Sequence, residues 1–298
     1  MKRRTKIILG VLAGLALLVG LAALFPSEGR NQEFQPQNEF KLDPWIPLKL
    51  GPLDMSINKA VLYLVLASAL TIGVMTYIAR RMEDRPNRVQ TAIEALYDLT
   101  RNRIARANMD EQMTGRFFAF VATLFFFIWF SNLLGYIPLP AGHEHITIFG
   151  LQVPALAIYA ATANLSVPLM LTLMVWFLYQ YQGIRAKGFV QYFKDWIPAG
   201  TPGPMKVPIF VIEVISQFVR IISLSVRLFA NILAGHLLIL FMGGGLAVIL
   251  GFAALGLLTL PVAVVFFIFE VVLIATLQAF IFATLTSIYL GEAVAEAH

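Results

Sequence analysis

The chain has 298 residues, 59% of them apolar, only 13% charged, and none of them cysteine. A soluble domain carries about 25% charged residues, so soluble domains of this length are excluded, and the 12% aromatic content in recurring apolar runs excludes disorder. What remains is an all-α polytopic membrane protein, without disulfides, thiol catalysis or thiolate metal sites.

The first apolar run, residues 7–25, follows Lys2, Arg3, Arg4 and Lys6, so residues 1–25 read as a signal peptide or a first transmembrane span. Residues 26–56 are polar, with five acids against three bases, and form an external segment. A membrane domain covers 57–292, its next span running over 58–79. Residues 82–115 are charged, with Val89, Ile93, Leu96, Leu99 and Ile104 at helical spacing. They read as a cytoplasmic amphipathic helix, either solvated or docked. A span at 117–137 is followed by an external loop whose His143-Glu144-His145 reads as solvated rather than metal-binding. The next span is predicted at 153–179 and a cytoplasmic loop at 183–206.

From 207 to 241 the sequence is apolar and helix-compatible for 35 residues. At 1.5 Å per residue that is about 52 Å, against a hydrocarbon core of about 30 Å, so this helix must tilt steeply or break. Gly243-Gly244-Gly245 and Pro261 are predicted to bracket a turn, and a second long run follows from 262 to 290. The expected architecture is five or six transmembrane helices, the last two long and steeply tilted as a hairpin over 207–290, with a tail at 293–298. Three dense basic blocks alternate with the spans, which is the positive-inside pattern. They place the C-terminus in the cytoplasm and account for the net charge of +5 without a nucleic-acid partner.

Between 207 and 290 stand four charges: Glu213, Arg220, Arg227 and Glu270. Ionisable groups within a bilayer cost roughly 3 kcal/mol or more each and are functional candidates. At about 100° per residue, Glu213, Arg220, Ser223, Arg227 and Asn231 fall on one stripe of one helix, and His236 on its opposite face. Seven residues separate Glu213 from Arg220, about 10 Å along the axis, too far for direct contact in a straight helix. Arg227 lies about 20 residues into the run, cannot shed its proton, and has no acid on its own helix within reach. Its partner is Glu270 or belongs to another chain. On the last helix, Gln278 follows Glu270.

No phosphate loop, HExxH or GxSxG occurs, so no bond-making chemistry, cofactor or metal is expected. An ion-coupled secondary transporter is the alternative reading, but it calls for internal repeats that this sequence does not display. An intramembrane hydrolase fails on distance, since Ser223 and Ser225 lie about 20 and 16 Å from His236 on a straight helix.

The segment Ser223-Leu-Ser-Val-Arg227-Leu-Phe-Ala-Asn231-Ile-Leu-Ala-Gly235-His236 resembles the signature of subunit a of F-type ATP synthases. Glu213, fourteen residues before the arginine, fits the same family. So do Leu277-Gln278-Ala279-Phe280-Ile281-Phe282, Ser131-Asn132-Leu133-Leu134-Gly135 with Pro138, and the 183–194 loop. The resemblance implies a proton-translocating stator subunit, not itself catalytic, in a bacterial plasma membrane. Its implied partners are a ring of c subunits, a b-type peripheral stalk and the remaining ATP synthase subunits. It matches Arg227 to the family's essential arginine and places Glu213, Ser223, Asn231, His236, Glu270 and Gln278 on the proton path or ring interface of a ring-facing hairpin. The family's later polar residue lies seven before the glutamine. Here that position is Val271, and Glu270 is one residue away, a turn of about 100° on an α-helix.

Overall fold

A computed structural model describes residues 42, 44–50, 53–54, 56–80, 85–148, 151–157, 159–198, 200–245 and 253–295. The run at 7–25 and most of the external segment lie outside these. Among the described residues, four helical stretches are long and apolar enough to cross a membrane: Lys59–Tyr77, Glu111–Leu134, Gly203–Gly243 and Thr259–Val294. The chain is an all-α polytopic membrane protein with two small β-hairpins. It divides into two compact units, one of 42–138, 159–233 and 273–295, the other of 139–158 and 234–272.

The first unit begins with paired strands β1 (Lys49–Leu50) and β2 (Leu53–Asp54). Helix α1 (Lys59–Arg80) follows, its first turn capped by the Asn58 side chain, which accepts from the Val61 amide at 3.2 Å. Lys59 is buried with its ammonium 4.9 Å from the centre of the Tyr159 ring, a cation–π contact. The predicted amphipathic segment is divided. Helix α2 (Arg88–Asp98) is capped by Asn87, passes into a π-turn at Leu99–Ala105 and a short turn at Arg106–Asn108, and stops. Asp110 then caps a new helix, accepting from the Met113 amide at 2.6 Å, so α3 (Glu111–Leu134) starts six residues before the apolar run.

Helix α4 (Ser166–Lys187) starts well after the predicted 153. Residues Leu151–Ala157 form a strand instead, the Asn164 side chain accepts from the Ser166 amide at 3.0 Å just ahead of the helix, and Pro168 sits in the first turn, where a missing N–H is harmless. Gly188, at φ 83°, ends α4 and turns the chain into α5 (Phe189–Lys194).

The core forms where α3 packs against α1 and against α8 (Ala275–Val294), which also packs on α4. Ala275, Ala279, Ala283, Ser287 and Gly291 recur every fourth residue on α8, a seam of small side chains that lets helix backbones approach closely. Polar groups lock it: Trp129 donates to the Thr276 hydroxyl at 3.1 Å, Thr162 to Asn132 Oδ1 at 2.8 Å, and the Asn132 amide to the Ala275 carbonyl at 3.4 Å. At Gly291 a Cβ would overlap the Asn108 carbonyl oxygen. Gly291→Ala is therefore expected to destabilise the detergent-solubilised protein by about 1–3 kcal/mol, read as a lowered Tm.

In the second unit, strands β3 (Leu139–Ile148) and β4 (Leu151–Ala157) pair antiparallel, Ile148 opposite Leu151 and Leu139 opposite Ala157. His143 and His145 lie on β3. The same unit holds the end of the long helix, its π-turn at Phe241–Gly245, and α7 (Ala253–Phe269), which packs on that turn. Pro261 stands inside α7 and does not break it. Pro is tolerated within membrane helices because neighbouring groups take over the freed backbone partners. The second long helix therefore already includes Ala253, ahead of the predicted 262, and continues through a π-turn at Glu270–Ile274 into α8.

Candidate functional site

The long helix α6 runs from Lys206 to Leu240, 35 residues, as its apolar run predicts. Its polar stripe does not act as one. Glu213 and Arg220 are half-buried and turn into their own unit, whereas Ser223, Arg227 and Asn231 are exposed. Around the outward group stand exposed apolar residues: Phe218, Val219, Ile222 and Val226. Among the described residues of its own compact unit, no carboxylate lies within ion-pair distance of Arg227. An obligate cation thus sits in an apolar face about 32 Å along its helix from Lys206.

The inward group lines a polar chamber of about 220 Å³ between α4, α5, α6 and α8. Arg220 pairs there with Glu292, not with Glu213, at 3.0 Å, and its guanidinium lies 4.9 Å from the centre of the Tyr289 ring. Lys187 pairs with Asp195 at 3.2 Å. Glu213 instead accepts a hydrogen bond from Gln217 at 2.9 Å, and Gln217 accepts from the Tyr179 hydroxyl at 2.7 Å. Gly183 leaves the space that the Tyr192 ring fills. Burial, opposed by a Trp196 contact, raises the Tyr192 phenol above its ordinary value, so it stays neutral near pH 7.

The remaining candidates are buried. In the second unit His236 is 1% exposed and Glu270 8% exposed. The Glu270 carboxylate rests over Gly235, where a Cβ would overlap it, so the glycine of the signature segment makes room for the acid of the next helix. Gln278 is buried in the first unit on α8. Among the described residues, no cluster of three or more His, Cys, Asp or Glu is placed to hold a metal ion.

Sequence reasoning missed Gln217, Tyr179 and Glu292. Gln217 carried a usable signal, since it stands four residues after Glu213 on the same side of the helix. Tyr179 and Glu292 carried none, because their relevance depends on which helix ends meet.

Residues 61–291 match the family model described as ATP synthase A chain. The chain is 35% identical to ATP synthase subunit a of Rubrobacter xylanophilus, over 85% of this chain and 91% of that one. It is 32% identical to the subunit a of Hyphomonas neptunium over 88% and 97%. With the longer subunit a of Anaeromyxobacter dehalogenans the identity is 36% over 82% and 59%.

Proposed function

This chain belongs to the ATP synthase subunit a family, and from that premise we propose that it is the stator half of a proton-driven rotary motor, with Arg227 facing the carboxylates of a passing c ring. The observation that carries the reading is the exposed Arg227 within an apolar face, with no carboxylate at ion-pair distance among the described residues of its own compact unit. A guanidinium in that setting requires an anion, and one supplied by a neighbouring polypeptide is present only when the partner is docked.

The mechanism follows from the charge. Two aqueous half-channels end near the bilayer midplane on either side of Arg227. A proton enters by one, neutralises a ring carboxyl, travels round in lipid and leaves by the other. As a carboxyl approaches, the fixed cation lowers its pKa and releases the proton. The same group blocks a direct leak because it relays no proton. Each charge crossing 100 mV supplies about 2.3 kcal/mol. Bond chemistry takes place in the soluble subunits, and a b-type stalk holds the stator still. The basic loops support a cytoplasmic C-terminus in a bacterial plasma membrane, and a steep tilt fits about 52 Å of helix against about 30 Å of hydrocarbon. Glu213, Ser223, Asn231, His236, Glu270 and Gln278 serve the proton path or the ring contact.

The π-turn at Glu270–Ile274 supports a path role for Glu270. A π-turn holds one residue more than an α-turn, and such turns concentrate at functional sites. That surplus residue lies in the stretch between Glu270 and Gln278, which fits the family's spacing of seven.

Because the chain contains no cysteine, single-cysteine variants test the ring contact directly. Ser223→Cys and Asn231→Cys are expected to cross-link to a small membrane polypeptide in native membranes. Buried Leu224→Cys is expected not to. Cross-linking from 224 but from neither exposed position would reject the docking face.

A further inference from the structure

We propose that Gln217 is a positioning residue for Glu213, holding one carboxylate oxygen so that the other faces the polar chamber. The proposal rests on the reading of Glu213 as a proton-path residue.

The hydrogen-bond directions decide how the Gln217 amide lies. Its oxygen accepts from the Tyr179 hydroxyl at 2.7 Å and faces the Gln180 amide nitrogen at 3.4 Å. Its nitrogen donates to Glu213 Oε1 at 2.9 Å. Turned round, the amide would put its NH₂ against the Gln180 NH₂ and its oxygen against a carboxylate, two repulsive contacts in place of two attractive ones. Gln217 is buried, at 6% exposure, and Tyr179 at 3%, so water does not substitute readily for these partners. The relay thus runs one way, from Tyr179 on α4 through Gln217 to Glu213, and fixes a side chain that is otherwise free to rotate about three bonds. The cations of the chamber do not compete for this role, since Arg220 and Lys187 are each paired with another acid, Glu292 and Asp195. Gln217 is one turn from Glu213 on the same helix, and the α4 tyrosine orients it from outside that helix.

The test uses the assembled complex in inverted membrane vesicles, with ATP-driven proton pumping as readout and copurification with the soluble subunits as the check on assembly. Glu213→Ala is expected to slow pumping, and added formate, small enough for the chamber, to restore part of it. Gln217→Met is expected to slow pumping about tenfold with assembly unchanged, as for loss of one hydrogen bond to a carboxylate. In the Glu213→Ala background, Gln217→Met is expected to raise the half-saturating formate concentration by about tenfold or more, because the donor that seats the carboxylate is gone. A residue that only packs would leave that concentration unchanged. If Gln217→Met does not assemble, Tyr179→Phe removes the hydrogen bond that anchors the Gln217 amide oxygen from α4 and is expected to slow pumping about threefold. Wild-type pumping by Gln217→Met, an unchanged formate requirement, or wild-type pumping by Tyr179→Phe overturns the positioning role. Wild-type pumping by Glu213→Ala overturns instead the path reading beneath it.

Discussion

Arg227→Gln is expected to reduce ATP-driven proton pumping in membrane vesicles to about a hundredth of wild type or less, with the complex still assembled. Glutamine keeps most of the length and some hydrogen-bonding capacity of arginine. What it removes is the permanent charge, and the proposed mechanism asks nothing else of this side chain. Without the charge, a protonated ring carboxyl has no reason to release its proton at the stator. Arg227→Lys separates two roles. Lysine supplies a cation, but one whose pKa falls readily when it is desolvated, so the variant is expected to retain some rotation while leaking protons. Normal, tightly coupled pumping by the glutamine variant would remove Arg227 from the mechanism.

Gly235→Ala is expected to slow pumping about tenfold, and Gly235→Leu to abolish it. Any Cβ at 235 overlaps the carboxylate of Glu270. Either the two helix segments separate, or the carboxylate leaves its place beside the signature segment. Forcing extra carbon into a packed site costs about 1–3 kcal/mol, which is about five- to 150-fold when expressed in a rate. Because His236 is the next residue, a backbone shift at 235 moves the buried imidazole as well. The comparison that isolates the acid is Glu270→Ala in the Gly235→Ala background. If the glycine acts by making room for the carboxylate, removing that carboxylate relieves the clash, and the double variant pumps no worse than Glu270→Ala alone. A double variant much worse than either single one would show that Gly235 serves something other than Glu270.

The membrane class, the 35-residue helix and the identity of its polar residues were legible in the sequence. Apolar runs and rare charges are local features that no tertiary context overrides. Helix starts were less legible. Asp110 sets one through a capping hydrogen bond ahead of the apolar run, and in the other the first part of the apolar stretch pairs as strand β4 instead. Pro261 was read as a breaker because in water it would be one, whereas a membrane helix finds other partners for the freed backbone groups. The polar stripe shows the limit of periodicity most clearly. Glu213, Arg220, Ser223, Arg227 and Asn231 share an angular position on α6, but the residues they meet differ along its length. Near its start the ends of α4 and α8 arrive with Gln217, Tyr179 and Glu292 in play and turn the stripe inward, while further along the exposed face carries it outward. A helical wheel has no axial coordinate for neighbours, so it cannot make that distinction.

A π-turn also determines where a chain of this kind tolerates a change in length. From Thr259 to Val294 the chain is one helical stretch, whose last part, α8, carries the seam of small residues. Inserting or deleting a residue at most points in it would rotate one end by about 100° against the other and unseat that seam. Within Glu270–Ile274 the winding already holds a surplus residue, so loss of one there converts the turn to ordinary α-helix and leaves both flanks in phase. Over evolutionary time this is a point at which relatives can differ by a single residue without any compensating change elsewhere.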